Sequence, residues 1–162
     1  MPGHTAWVGL NKIAKARAGE TIVVSAATGA VGSLVGQLAK QKGMTVIGVA
    51  GSELKCDFAV ESLYYDHCLN HSKADTCADL RSQINRVAPH GVDVYFENVG
   101  GKTLEAVIPL MNTGGRIALC GMISWYSGKG LENALPLPKV WRTILVNRLI
   151  VQGFIIFDHK ES

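Results

Sequence analysis

Short apolar runs alternate along this chain with longer segments whose apolar residues recur at helical spacing. Strands are predicted at residues 21–26, 45–50, 68–69, 92–96, 116–121 and 149–156. Helices are predicted between them at residues 31–42, 53–63, 74–87, 102–111 and 138–147, with a leading helix at residues 3–16. Strand–helix alternation forces parallel pairing through right-handed crossovers. The sequence therefore predicts an α/β fold, a doubly wound, six-stranded parallel sheet in a three-layer α/β/α arrangement.

Size and charge narrow the class of protein. The chain has 162 residues, enough for one domain with a hydrophobic core, so we expect a single domain over residues 1–162. A net charge of +3 is too small to argue for binding to nucleic acid or to an anionic membrane surface. The longest apolar stretch, residues 149–157, is too short to span a bilayer. Residues 1–4 do not resemble the start of a signal peptide, and we expect a cytoplasmic protein.

The four cysteines argue against a metal site. None of them forms a CxxC pair, and no histidine accompanies them at the spacing of zinc ligands. We therefore expect no metal and reduced, separate thiols. The cysteines are Cys56, Cys68, Cys77 and Cys120.

The turn after the first strand carries a variant of the dinucleotide-binding fingerprint, with Ala27, Gly29 and Gly32 in the three glycine positions. Gly29 would let the backbone approach a pyrophosphate, and Gly32 would let the following helix pack closely on the strand. The N-terminus of that helix would then offer N–H groups to the phosphates. The alternative is a tight strand-to-helix turn that binds no ligand.

The end of the second strand indicates which nucleotide such a site would take. An NAD site normally has an acidic residue there, on the ribose 2′-hydroxyl, but this strand ends in Val49, Ala50, Gly51 and Ser52. Glu53 starts the next helix and suits a first-turn acid, and Lys55 follows it. This pattern favours a 2′-phosphate and hence NADP, although Lys55 is also explained as a solvated lysine. Ser52 as a helix N-cap is compatible with either interpretation.

Two later loops contain polar candidates. Asn98, at the end of a strand and before two glycines, suits a group that faces a nicotinamide or ribose, or simply turns the loop. Tyr126 is either a polar anchor or proton donor, or a surface aromatic. We interpret Trp125 and Trp141 as packing residues, and Asp93, Arg81 and Arg86 as solvated.

Five segments, in order along the chain, carry a family resemblance: VSAATGAVGSLVGQLAK, VIGVAGSELK, YFENVGG, RIALCGMISWY and VQGFII. Together they resemble the zinc-independent branch of the medium-chain dehydrogenase/reductases. The nearest group includes leukotriene B4 12-hydroxydehydrogenase (prostaglandin reductase), plant alkenal reductases and bacterial curcumin reductases. The resemblance covers essentially the whole chain. It implies NADP(H) as cofactor and reduction of the C=C bond of α,β-unsaturated ketones and aldehydes.

Three alternatives stay open: a non-catalytic NADPH-binding homologue, a redox-sensing homologue, and a quinone reductase of the same superfamily. In the family, MPGHTAWVGL resembles a mid-protein segment, so we expect the GroES-like catalytic domain to be absent and this fragment alone to be inactive. Relatives commonly dimerise through this domain. Because the apolar last strand would lie at the sheet edge, where it can pair with another chain, we expect a homodimer.

The resemblance also implies roles for individual residues. Gly29, Ala30, Val31, Gly32 and Ser33 would bind the pyrophosphate. Gly51, Ser52 and Lys55 would lie at the 2′-phosphate, and His71 at the adenosine end. Asn98, Cys120, Gly121, Met122, Ile123, Ser124 and Tyr126 would line the ribose–nicotinamide region, with Phe154, Ile155 and Ile156 along the nicotinamide.

Tyr126 matches a tyrosine implicated in the reaction of relatives, as an anchor for the substrate carbonyl or a proton source. Hydride would go to the β-carbon of an enone, and the enolate would be stabilised by hydrogen bonds and then protonated at the α-carbon. Residues 127–137 depart from relatives in length and proline content, which leaves substrate preference open.

Overall fold

The computed structural model describes residues 1–128 and 131–160. Six strands in this part of the chain form one parallel sheet with the order β3-β2-β1-β4-β5-β6. They are β1 (Thr21–Ser25), β2 (Thr45–Ala50), β3 (His67–Asn70), β4 (Val92–Glu97), β5 (Met111–Leu119) and β6 (Ile150–Gly153). The predicted doubly wound sheet is confirmed. Its order reverses between β1 and β4, which opens a crevice at the carboxyl ends of the strands.

Helices cover both faces of the sheet. They are α1 (Pro2–Val8), continued by a π-helical turn at Gly9–Ile13, α2 (Gly32–Gln41), α3 (Glu53–Ser62), α4 (Cys77–Val87), α5 (Gly101–Val107) and α6 (Leu137–Asn147). Residues of α1, α2 and α3 pack on one face, and residues of α4, α5 and α6 on the other. Because both faces are covered, the central strands are apolar at nearly every position, as the sequence predicted. No helix in the described residues is long and apolar enough to cross a membrane.

Several predicted boundaries are wrong at the ends of β5 and β6. The expected helix over residues 102–111 ends at Val107, and Ile108–Leu110 forms a single 3-10 turn that contains Pro109. β5 then begins at Met111, five residues before the predicted start, and ends at Leu119. Since the last residue of β5 pairs with Gly153, β6 has no partner beyond that point and stops before the predicted residue 156.

Two helices also differ from prediction at their ends. The leading helix ends at Ile13 rather than at residue 16. α4 begins three residues later than residue 74 because Thr76 caps it. The Thr76 hydroxyl accepts the Asp79 N–H at 3.2 Å, and the Asp79 carboxylate accepts the Thr76 N–H at 3.2 Å. This reciprocal pair satisfies two backbone donors and sets the start of the helix.

Three side chains interpreted from the sequence lie in other environments. Trp141 is 59% exposed on α6 instead of packed. Asp93 is not simply solvated, because it accepts the Thr21 N–H and the Asn112 amide, both at 2.9 Å. Arg81 donates to the Glu105 carbonyl at 3.3 Å and so connects α4 to α5. Arg86 is exposed, as expected.

Arg116 joins three segments at the amino end of the sheet. It is 8% exposed and donates from Nε to the Ala14 carbonyl at 2.8 Å and from Nη2 to the Lys15 carbonyl at 3.1 Å. Its two terminal nitrogens also bind the carboxylate of Glu20 at 2.7 and 2.6 Å. This paired contact holds the pKa of Glu20 below its usual value.

Tyr65 fills the space between α2 and β2. Its hydroxyl donates to the Gly32 carbonyl at 2.8 Å. A Cβ atom added at Gly36 would lie 2.1 Å from the Tyr65 ring, and one added at Gly48 would lie 2.9 Å from it. The buried ring therefore requires glycine on the helix and on the strand that it contacts.

Replacing Glu20 with Gln should lower the free energy of unfolding at neutral pH by about 1–3 kcal/mol, because Arg116 loses a charged partner. The folded-state pKa of Glu20 lies below its unfolded value, so its contribution is present above the unfolded pKa and is lost as pH falls. The substitution should therefore flatten acid destabilisation below about pH 5. Urea titrations at several pH values measure this, with the exposed Glu61→Gln as control. The prediction is contradicted if the free energy of unfolding of the variant falls below about pH 5 as steeply as that of the unmodified chain.

Gly36→Ala should lower the free energy of unfolding by about 1–3 kcal/mol, because the new methyl group would overlap the Tyr65 ring. Gly3→Ala is the matched control, since it also lies in a helix but would meet only a Leu34 carbon at 3.9 Å. That control should be neutral or stabilising by up to about 1 kcal/mol. Thermal melts of the two variants measure this. Equal melting temperatures would contradict the claim that the Tyr65 ring leaves no room for a methyl group at Gly36.

Candidate functional site

A cleft of about 550 Å³ opens at the carboxyl ends of the central strands, where the strand order reverses. Several residues that the sequence predicted for a cofactor site line it: Gly29, Gly51, Lys55, His71, Ile123 and Ser124. Other lining residues were not named individually from the sequence, although Thr28, Val99 and Gly100 lie in the loops near residues 27–33 and 97–101 that were expected to build the site; the rest are Ala26, Val49, Ala50, Lys102 and Thr103. The loops that follow β1, β2, β3, β4 and β5 thus meet at one place.

The loop between β1 and α2 lies unusually close to the strand that precedes it. A Cβ atom at Gly32 would lie 2.1 Å from the Ala26 carbonyl oxygen, so only glycine fits there. Gly29 has more room, because its Cβ would lie 3.2 Å from the same oxygen. The cap of α2, Val31, makes no side-chain hydrogen bond to the helix. The N–H groups of Ser33 and Leu34 bind the Gly29 and Val31 carbonyls, at 2.9 and 3.1 Å, which leaves the Gly32 N–H at the start of α2 for an anion.

The other fingerprint residues surround this turn without lining the cleft. Ala30 is exposed, and Val31 is half-buried against the core. Ser33 is half-buried in the first turn of α2, where its hydroxyl donates to the Ala30 carbonyl at 3.4 Å. Their backbone, rather than their side chains, is what this arrangement presents to a ligand.

The acidic residue next to the tip of β2, Glu53, binds two other side chains. Ser52 caps α3 by accepting the Lys55 N–H at 3.2 Å, as predicted. Glu53 binds Lys73 at 3.0 Å and accepts from the Asn70 amide at 3.3 Å, and these contacts lower its pKa. Lys55 remains the charged residue of this tip that lines the cleft.

The sequence did not reveal the role of Lys102, because a lysine at the start of a helix resembles any solvated cation. It lines the cleft opposite Lys55 and donates from Nζ to the His71 carbonyl at 2.6 Å and to the Ala74 carbonyl at 2.8 Å. Burial, Lys102 and Lys55, in that order of effect, lower the pKa of His71. The end of the cleft beyond β2 and β3 is therefore positively charged around a neutral imidazole.

Glu97, also missed, supports the loop after β4 from beneath. It is 1% exposed, and its Oε1 accepts the N–H groups of Val99 and Gly100, both at 2.7 Å, and the Ser25 hydroxyl at 3.2 Å. Burial raises its pKa, although the two N–H donors partly oppose this. A glutamate that directly follows the apolar run of residues 94–96 was the sequence signal that could have revealed it.

Asn98 is held against β1 rather than directed into the cleft lining. Its side-chain amide donates to the Ser25 carbonyl at 2.9 Å, and its backbone N–H donates to the Ser25 hydroxyl at 2.8 Å. It therefore turns the loop, which was one of the two interpretations of this residue. A role toward a ribose or nicotinamide stays a prediction.

The loop after β5 lies over the loop after β4. The N–H groups of Cys120 and Gly121 both bind the Glu97 carbonyl, at 2.9 and 3.1 Å, which ends β5 before the predicted residue 121. Ser124 binds the Val99 carbonyl through both its N–H and its hydroxyl. Trp125 packs on Gly100, where a Cβ would meet its ring at 2.8 Å, so its interpretation as a packing residue is confirmed. Ile123 and Ser124 thereby reach the cleft, with Met122 beside them.

Tyr126 does not line the cleft but follows the lining residues Ile123 and Ser124, which places it at the rim, and it is 68% exposed. Its hydroxyl oxygen accepts the Met122 N–H at 3.2 Å. Because the oxygen acts as acceptor in this bond, the hydroxyl hydrogen is available for a ligand. The geometry suits an anchor or proton donor for a molecule that enters from outside.

The segment after β6 packs mainly on the α1 side of the sheet. Phe154 meets Phe96 edge to face with ring centroids 6.3 Å apart, and Ile156 packs against the same core. Ile155 is exposed. None of the three lines the cleft, and their predicted position along a nicotinamide stays a prediction.

The expectation of separate thiols is wrong for one pair. The sulfur atoms of Cys56 and Cys68 lie 3.1 Å apart, while both residues remain free cysteines. Burial is the largest cause that raises the pKa of each thiol. Within residues 1–128 and 131–160, no group of three His, Cys, Asp or Glu side chains is arranged to hold a metal ion.

Comparison with known proteins agrees with the geometry. The chain is 48% identical over 157 residues to the NADPH-dependent curcumin reductase of Escherichia coli, which covers 96% of the chain and 44% of that protein. It is 43% identical over 159 residues to a tobacco (Nicotiana tabacum) 2-alkenal reductase (NADP(+)-dependent), which covers 98% of the chain and 44% of that protein. The chain thus spans less than half the length of these relatives.

A solved structure is similar in fold and in sequence. CurA from Vibrio vulnificus, crystallised in complex with NADPH, superposes with a TM-score of 0.89 and 50% identity, over 99% of this chain and 47% of that one. The motif resemblance stated from the sequence is confirmed by these relatives. The model of the zinc-binding dehydrogenase family matches residues 30–162. The chain therefore belongs to the zinc-binding dehydrogenase family.

Proposed function

We propose that this chain is the NADPH-binding part of an enzyme that reduces the C=C bond of α,β-unsaturated ketones and aldehydes. The observation that carries the proposal is the cleft at the strand-order reversal, which joins a glycine-dependent phosphate loop to a lysine at the tip of β2. The relatives named for curcumin and 2-alkenal reduction, and the solved relative that binds NADPH, support the same function.

The residues present fit a dinucleotide phosphate. The close packing at Gly32 and the Gly32 N–H at the start of α2 suit a pyrophosphate, which accepts hydrogen bonds from backbone N–H groups. Lys55 and His71 would bind the 2′-phosphate, with Gly51 and Ser52 leaving space beside them. Glu53, bound to Lys73, does not compete as a partner for a ribose 2′-hydroxyl. Together these features support NADPH over NADH.

When bound, NADPH supplies the hydride for the β-carbon of the enone. Tyr126 would donate its hydroxyl hydrogen to the substrate oxygen, while the Met122 N–H holds the tyrosine oxygen in place. That hydrogen bond stabilises the negative charge that develops on the substrate oxygen as the C=C bond is reduced. The loop over residues 120–126 is braced by Glu97 and Val99 and keeps this hydroxyl at the rim.

The rest of the enzyme lies outside this chain in the proposal. Relatives are about twice as long, and a GroES-like catalytic domain would close the cleft from the Tyr126 side. The 162-residue chain alone would bind the cofactor without turnover, because half of the substrate pocket is missing. Residues 127–137, of which residues 129–130 lie outside the described part, depart from relatives in length and proline content and would contribute to substrate choice.

Assembly and location form part of the same proposal. β6 is an edge strand with Ile150 and Val151 exposed, and the neighbouring α6 exposes Leu145. An apolar strand edge is well suited to pair with a second copy, so we propose a homodimer through β6. The four free cysteines suit the reducing cytoplasm, and the substrate is a small molecule rather than a membrane or nucleic acid.

The chain should bind NADPH more tightly than NADH, and Lys55→Ala should narrow the difference by about 1.5–3 kcal/mol, because a charge-assisted phosphate contact is lost. Calorimetric titration of both cofactors measures this. Lys139→Ala, an exposed lysine on α6, serves as control and should leave both affinities unchanged. Equal affinity of the unmodified chain for the two cofactors would refute the NADP assignment.

In the complete enzyme, Tyr126→Phe should reduce kcat for an alkenal such as 2-nonenal by about 100-fold or more, because the substrate oxygen loses its proton donor. The NADPH dissociation constant should not change. Tyr64→Phe, another exposed tyrosine with a hydroxyl far from this loop, provides the matched control. Enone-dependent NADPH oxidation is the assay. The reductase proposal fails if the intact enzyme shows no enone-dependent oxidation of NADPH.

A further inference from the structure

Lys102 crosses the cleft from α5 to the segment that follows β3. Its Nζ atom donates to the His71 and Ala74 carbonyl oxygens, at 2.6 and 2.8 Å. These two carbonyls belong to a 3-10 turn that carries the imidazole of His71 into the cleft. Lys102 thus connects the start of α5, which follows β4, to the segment that follows β3.

The backbone around His71 has few other supports of comparable strength. The Asn70 side chain accepts the Ser72 N–H at 2.9 Å, and the Ser72 hydroxyl donates to the Gly51 carbonyl at 2.8 Å. The first bond lies within the turn, next to the end of β3, and only the second anchors the turn to the tip of β2. Lys102 supplies the anchor from the opposite side, and it does so with a charged donor, which makes the shorter and stronger bonds.

The charge of Lys102 also reaches the imidazole. Among the causes that lower the pKa of His71, Lys102 ranks above Lys55 and after burial. The two lysines therefore act on the same point of the cleft from opposite walls. A dianionic group placed there would be attracted by both lysines, and it would favour a protonated imidazole.

We propose that Lys102 is a specificity-determining residue that positions His71 and adds a second positive charge for the 2′-phosphate of the cofactor. This inference rests on the proposed function, since it concerns the adenosine end of the same cleft. It requires that Lys102 affects ligands with a 2′-phosphate more than ligands without one. A purely structural lysine would weaken both kinds of ligand alike.

The experiment compares two fragments of the cofactor, adenosine 2′,5′-bisphosphate and 5′-AMP, which differ only in the 2′-phosphate. Lys102→Met keeps the aliphatic stem and removes the charge and both hydrogen bonds. We expect it to weaken binding of the bisphosphate about tenfold or more and of 5′-AMP by less than about threefold. Lys102→Arg should give an intermediate loss, because the charge is kept but the compact ammonium geometry is not. Lys139→Met is the matched control.

A double-substitution cycle tests whether Lys102 acts through His71. The combined loss for His71→Ala with Lys102→Met should be smaller than the product of the two single losses, since both changes disturb the same contact. Binding of the bisphosphate should also depend less on salt in Lys102→Met, because one screened charge is gone. Far-ultraviolet circular dichroism and a melting curve establish that each variant is folded, and Lys102→Arg preserves the test should Lys102→Met unfold.

The outcomes separate this inference from the function on which it rests. If the unmodified chain binds NADPH and the bisphosphate tightly and Lys102→Met does not change the preference, the inference about Lys102 is wrong while the cofactor assignment stands. Equal weakening of bisphosphate and 5′-AMP also overturns it, because the lysine would then be structural only. If the unmodified chain binds neither NADPH nor the bisphosphate, both proposals fall.

Discussion

The approach of α2 to the end of β1 is the contact on which the cleft depends. At Gly32 the helix lies so close to the Ala26 carbonyl that a single methyl group would not fit. This proximity places the start of the helix, with the Gly32 N–H, at the carboxyl edge of the sheet. Tyr65 maintains the contact from below through its bond to the Gly32 carbonyl.

The opposite wall of the cleft is supported by a buried acid, Glu97. Its burial costs desolvation free energy. Desolvation disfavours the charged form of Glu97, and backbone N–H donors favour it; the raised pKa shows that desolvation is the larger effect. The same carboxyl oxygen accepts both N–H groups of a turn in which Gly100 has a φ of +75°. Trp125 covers that turn from above. The loop is therefore clamped between a carboxyl group and an indole ring.

Sequence reasoning succeeded where the physical cause is local. The alternation of apolar runs gives the sheet, and the spacing of Gly29 and Gly32 gives the phosphate loop, because both patterns follow from neighbouring residues. It failed where the cause is a distant partner. The role of Lys102 depends on carbonyls 28 and 31 residues away, which no spacing reveals. The helix was expected to reach residue 111 and the strand to begin at residue 116, yet Met111 pairs with Val92 of β4, and a register shift separates this pair from the pair of Arg116 with Val94.

The state of the thiols has a chemical consequence for a protein of this kind. Cysteine attacks electrophilic alkenes as the thiolate, so a thiol whose pKa is raised reacts slowly. Burial raises the pKa of Cys56, Cys68 and Cys120, and Cys120 adjoins the loop that carries Tyr126. A reductase that admits enones handles molecules able to alkylate its own cysteines. In an enone reductase of the kind proposed, sulfurs kept protonated by burial would react slowly with the substrates.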